Sequence, residues 1–155
     1  MNREIIFRAW DDSNKEMINP YCELKENRFW GEDLTNTGLN TPISVMQFTG
    51  LYDKNGTKIF EGDILSIKEF WNTAMDLSYE ERDLFEINDL KGDLHDEYIT
   101  DVIYEPGCFL IKTKPDDYDC FASVLDGNQK HSQPIFDCEI IGNTHENYEL
   151  LNTSF

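Results

Sequence analysis

The chain has 155 residues, of which 13 are Lys or Arg and 31 are Asp or Glu, for a formal net charge of −18. A domain of this length buries roughly 68–70% of its unfolded surface, so it needs neither disulfides nor a structural metal to fold. With 39% hydrophobic and 13% aromatic residues it is not globally disordered, and its charge excludes binding to a nucleic-acid backbone by bulk electrostatics, which requires cations that release counterions.

Residues 4–10 (EIIFRAW) are rich in strand formers, with Ile6, Arg8 and Trp10 on one face and Ile5, Phe7 and Ala9 on the other. Asp11-Asp12-Ser13-Asn14 is a turn cluster. Asn19-Pro20, Gly31 and residues 35–42 read as loop, and Phe29 and Trp30 between them either add a short strand or pack over the core. Residues 45–52 (VMQFTGLY) are strand-like, followed by Asp53-Lys54-Asn55-Gly56, a short strand 57–60, a second turn Glu61-Gly62-Asp63, and a strand 64–67. Residues 101–105 and 108–113 flank Pro106-Gly107 as a hairpin. A last strand at 138–141 ends at Gly142-Asn143, and Asn147 is placed to cap a short C-terminal helical turn. Many short strands between turns predict a mainly β fold, a small barrel or sandwich.

One segment breaks the rhythm. Between residues 68 and 98 there are three basic and ten acidic residues, a local balance of −7. Ser78-Tyr79-Glu80-Glu81 has the form of a capping box. Leu84, Ile87 and Leu90 then recur every three residues, and Lys91-Gly92 makes a stop. The pattern predicts a helix near 79–91 with one narrow apolar stripe, set in an acidic insertion of a single domain spanning 1–155. It is read as a helix packed on the β core, as a partner-binding element formed by Glu80, Glu81, Asp83, Leu84, Glu86, Ile87, Asp89 and Leu90, or as a disordered segment.

The stretch TGLYDKNGTKIFEGD (49–63) is the other candidate site. Asp53-x-Asn55-Gly56 has half the look of a calcium loop, but Thr57, Lys58, Ile59 and Phe60 follow where further oxygen ligands and a closing Glu are required. No phosphate-loop pattern is present. The structural reading fits better: Asn55-Gly56 suits a type I′ hairpin turn, Gly62 bends the chain into the next strand, and Asp53 caps the turn. His95, His131 and His145 are expected at the surface. Cys108 and Cys138 fall in strands and Cys22 and Cys120 in loops, with no C-x-x-C pair. No catalytic residue, cofactor or metal ligand is singled out. The start has the charge pattern of neither a signal peptide nor a membrane span, so a cytoplasmic protein with reduced thiols is expected.

Three blocks together resemble the YopX family: residues 3–12 (REIIFRAWDD) with Met17, residues 45–65 (VMQFTGLYDKNGTKIFEGDIL) and residues 139–151 (EIIGNTHENYELL), with a weaker match at 101–112. The resemblance implies a small protein of bacteriophages and prophages made in the bacterial host cytoplasm, folded as a mainly β barrel or roll similar to SH3-type barrels. It implies no activity, because the family has no established biochemical function. Two departures stand out: Tyr148 where the family often has Pro, and the acidic 68–98 segment.

The function expected is therefore that of a non-enzymatic binding or regulatory module acting on a host or phage protein, one of basic character being favoured by the charge. A nucleic-acid mimic is a variant of this. A helix of about 13 residues spans roughly 20 Å, over which duplex DNA carries about 12 charges. The predicted helix with Asp93 carries six acids offset by Arg82 and Lys91, half that density or less. A metal-dependent hydrolase or nuclease and a structural or assembly role, including homo-oligomers paired through strand edges, complete the alternatives.

Overall fold

A computed structural model describes residues 4–25, 28–31, 43–114, 117–120, 129–131 and 134–153. The mainly β fold is present as two five-stranded antiparallel sheets. The first contains β1 (Ile5–Asp11), β2 (Glu16–Lys25), β3 (Arg28–Gly31), β4 (Ile43–Tyr52) and β5 (Lys58–Phe60), in the order β3-β2-β1-β4-β5. The second contains β6 (Asp63–Asn72), β7 (Lys91–Glu105), β8 (Cys108–Lys114), β9 (Asp117–Cys120) and β10 (Ile135–Asn143), in the order β10-β6-β7-β8-β9. Among the described residues no strand pairing closes these sheets into an SH3-type barrel. The expected loop at 35–42 lies outside the described residues.

The central strand β1 is covered on both faces, as its composition predicts: Ile6, Arg8, Ala9, Trp10 and Asp11 are all buried. β5 is the pin between the sheets. Adjacent strand residues point to opposite faces, so Phe60 packs with Ile6 and Phe48 in the core of the first sheet. Ile59 enters the core of the second with Leu65, Ile67, Tyr98, Val102, Ile111 and Cys138. Ile59 is fully buried, which is worth roughly 1.5–3 kcal/mol for a side chain of its size. One strand of three residues thereby contributes to both cores.

Several local expectations change. Asn19-Pro20 lies within β2, where three residues (Asn19, Pro20 and Tyr21) face the single Arg8 at a register shift between Phe7 and Ala9. Proline lacks the N–H that a regular ladder needs, and a bulge is where a strand accepts it. Among the described residues, the pairing of β2 with β3 begins at Cys22. Cys22 is thus a strand residue, opposite Phe7, and Cys120 ends β9; neither is a loop thiol. The 53–56 turn is not type I′. Gly56 has φ +80°, but Lys54 and Asn55 have no positive φ, and the Gly56 amide donates to the Asp53 carbonyl at 3.0 Å. That is a turn followed by a left-handed glycine, the bulged form of a short hairpin loop. Asp53 selects it by capping the turn: its Oδ1 accepts from the amides of Asn55 at 2.9 Å and Thr57 at 2.8 Å.

The largest change is in the acidic segment. β6 runs on to Asn72 and β7 starts at Lys91, pairing Lys68 with Glu97, Glu69 with Asp96, Phe70 with Leu94 and Asn72 with Lys91. The chain therefore leaves the sheet only at 73–90. The predicted 79–91 helix is a single turn, α1 (Tyr79–Arg82), followed by a 3₁₀ turn at Ile87–Leu90. At the other end a 3₁₀ turn, Tyr148–Thr153, stands where a short terminal helical turn was expected. Asn147 does not cap it forward: its Oδ1 accepts from the Asn143 amide at 3.3 Å.

Candidate functional site

Two places combine polar chemistry with defined geometry: the corner that joins the sheets and the 73–90 excursion.

The corner is built on Arg8 of β1 and Asp63 of β6. The Arg8 Nη1 lies 2.7 Å from Asp63 Oδ1, both side chains almost wholly buried. Arg8 Nη2 also donates to the Glu61 carbonyl at 3.1 Å, and its guanidinium sits 4.9 Å from the Phe60 ring centroid. The second Asp63 oxygen accepts from the Phe60 amide at 2.8 Å. Gly62, with φ +76°, donates its amide to the Val102 carbonyl and accepts from the Thr144 amide, both at 2.8 Å. Burial pushes the Asp63 carboxyl above its ordinary range, against the pull of the Arg8 guanidinium. These bonds hold the EGD turn against β1 and β7.

Asp53 plays a similar part at the other end of the motif. Burial acts to raise its carboxyl. The amides of Thr57, Asn55 and Ile140 and the Asn55 side chain outweigh that and leave it below the ordinary 3.8. The motif that looked like a cation loop folds its aspartates inward onto backbone amides. No group of three or more His, Cys, Asp or Glu residues among the described residues is arranged to hold a metal ion.

The excursion is different. The capping box forms in full: the Glu81 amide donates to Ser78 Oγ, and the Ser78 amide donates to the Glu81 carboxylate at 2.9 Å. The Ser78 amide and hydroxyl, both donating to the Glu81 carboxylate, hold it below its ordinary range. Arg82 turns beneath the helix, donating to the Leu77 carbonyl at 2.9 Å and the Met75 carbonyl at 2.6 Å, and is buried. Asp83 reaches His131 Nε2 at 3.1 Å, and Tyr79 meets the His131 ring edge-on at 4.7 Å.

Of the residues singled out by sequence, Glu80, Glu81, Asp83, Leu84, Glu86 and Asp89 are exposed on this excursion. Leu84 is 84% exposed, the most of any large hydrophobic residue among those described. Leu90 is buried with Ala74 and Ile135, and Ile87 packs against them. The supposed stripe is thus split: its far end anchors the excursion to β10 and its near end faces solvent. The division comes from the early stop at Arg82 and the extended Glu86 (φ −73°, ψ 151°), which turns residues 87–90 away from the face of α1. Sequence reading missed Met75, Tyr79 and Phe85, which are also exposed on the excursion. The capping box was the signal for Tyr79, since it placed that residue at the first helical position. His131 and His145 are half-buried rather than at the surface, the latter stacked on Trp10 at 5.3 Å.

No helix among the described residues is long and apolar enough to cross a membrane. Taken together, the two sheets joined by β5 and by the Arg8–Asp63 pair, with an acidic excursion from one sheet, define a mainly β protein of two antiparallel sheets. The chain belongs to the YopX family, whose model, described as YopX protein, matches residues 6–152. It is similar to the crystal structure of protein EF1440 from Enterococcus faecalis, with a TM-score of 0.51 and 27% identity over 95% of this chain and 97% of that one. None of the curated proteins matches it.

Proposed function

We propose that this chain is a non-enzymatic phage or prophage accessory module of the bacterial cytoplasm that uses the 73–90 excursion to bind a basic protein. The observation that carries the reading is the exposure of Tyr79, at the start of a capped helical turn, and of Leu84 and Phe85 just after it, among the exposed acids Glu80, Glu81, Asp83 and Glu86. An exposed apolar cluster with a polar rim is the form of a protein-binding site. The cation that could neutralise the rim, Arg82, is turned inward to carbonyl groups. A partner with apolar side chains surrounded by Lys and Arg is complementary in both respects. The single-turn helix offers no extended row of charges, so a protein surface fits it better than a site built for a nucleic-acid backbone.

The test is capture from host lysate with the full chain and with a Leu84→Ser/Phe85→Ser double variant, then reconstitution with the purified captured protein. A basic protein that binds the wild-type chain, loses at least tenfold in affinity for the variant and weakens with added salt supports the reading. Equal binding by the variant refutes it.

A further inference from the structure

A second cluster lies on the β8–β9 hairpin of the second sheet and plays no part in the binding reading. Cys108 opens β8, just after the Pro106-Gly107 turn, and Cys120 ends β9. In the β8–β9 ladder Leu110 stands opposite Cys120. Residues two apart on a strand share a face, so Cys108 and Cys120 are diagonal neighbours on one face. Their sulfur atoms are 2.7 Å apart, and a disulfide closes at about 2.05 Å. Cys120 is exposed and Cys108 half-buried. The pair sits at the rim of a cavity of about 380 Å³ between the two sheets, lined by Gln47, Thr49 and Leu51 of β4 and by Tyr104 and Phe109 across the hairpin. Cys138 differs: it is buried in the core, and burial pushes its thiol up to about 12.

We propose that Cys108 and Cys120 form a reversible dithiol–disulfide site at the rim of this cavity, exchanging with low-molecular-weight disulfides. The thiolate of Cys120, the more accessible sulfur, attacks one sulfur of the small disulfide. A mixed disulfide forms and one small thiol leaves. The Cys108 thiolate then attacks the Cys120 Sγ, forming the protein disulfide and releasing the second small thiol. Two protein thiols are oxidised, one small disulfide is reduced to two thiols, and the protons lost by the cysteines are taken up by the leaving thiolates. Cys120 is exposed, and exposed bridges are among the readily reducible ones. The site is therefore a switchable bond and not a permanent staple.

The test uses the full chain equilibrated with oxidised and reduced glutathione, with thiol titration and peptide mapping by mass spectrometry. The proposal expects two of the four thiols to be lost in oxidising mixtures, a cross-link between peptides carrying Cys108 and Cys120, and full recovery on addition of reduced glutathione. Cys108→Ser should leave Cys120 trapped as its glutathione adduct, an intermediate that does not accumulate in the wild-type chain. Retention of all four thiols in excess oxidised glutathione overturns the proposal. So does a bridge that includes Cys22 or Cys138, or a persistent adduct on Cys120 of the wild-type chain. Because the bridge is mapped in the wild-type protein, the outcome does not depend on how the variant folds.

Discussion

The corner around residues 59–63 and the excursion at 73–90 lie ten residues apart in the chain and spend their polar groups in opposite ways. At the corner, Asp63 and Arg8 are buried against one another and Ile59 and Phe60 each fill a core. In the excursion the capping bonds and Arg82 fix the backbone, while Leu84, Phe85 and Tyr79 stay in water. One region gains stability by closing on itself. The other leaves apolar side chains in water that the fold does not use. The strongest motif in a sequence can thus be wholly occupied with folding.

The contrast breaks most sharply at Arg8. Arg8→Ala leaves the Asp63 carboxylate buried without its cation, and removing one partner of a buried pair costs about 3–5 kcal/mol. Urea denaturation should show that loss. A change below about 1 kcal/mol would mean that the pair does not weld the sheets.

Asp53 comes next. Asp53→Ala strips the acceptor from the amides of Asn55 and Thr57 and should cost about 1–3 kcal/mol. Its pH dependence has a definite sign. A carboxyl held below 3.8 in the fold adds stability that is present above 3.8 and lost as pH falls through the folded value. Asp63 has the reverse sign. Its carboxyl is raised by burial, so its own ionisation disfavours the fold as pH climbs above 3.8 through the raised value. Denaturation midpoints from about pH 5 to about pH 2 should therefore fall less steeply in Asp53→Asn than in the wild-type chain. Parallel curves would show that Asp53 adds nothing to the acid sensitivity of the fold.

Two glycines sharpen the picture at smaller cost. Gly56→Ala forces a side chain into a left-handed turn with open space around it, for about 1–2 kcal/mol. Gly62→Ala has the same backbone cost and also places a Cβ 3.1 Å from Thr144 Oγ1 and 3.3 Å from Met46 Sδ. Thermal unfolding should rank Gly62→Ala as the more damaging. The excursion should respond least: Leu84→Ser is expected to change stability by no more than about 0.5 kcal/mol. A larger loss would place Leu84 among the residues that hold the fold.

Much of the fold is legible in the sequence because strand residues and turn residues are local signals. The hairpin at Pro106-Gly107, the bend at Gly62 and the Ser78–Glu81 capping box each depend on a few adjacent side chains. The family likeness also rests on contiguous blocks. The Arg8–Asp63 pair joins positions far apart in sequence, and nothing in either local pattern marks them as partners. The acidic segment misled for a related reason. Its capping box starts a real helix, but the helix stops at Arg82, and strand pairing in β6 and β7 takes residues 68–72 and 91–98 of the segment. Leu84 and Leu90 share a spacing yet end in different environments, because spacing predicts a common face only while one helix continues.

The most direct test of the division between corner and excursion is hydrogen exchange of the full chain with and without a basic protein captured as proposed above. Local exchange reports which backbone amides a bound protein shields or steadies. Added protection is expected over 75–90 alone, with residues 45–65 equally protected in both states. Protection that appears instead at the edge strands β3 or β9, leaving 75–90 unchanged, would contradict the division.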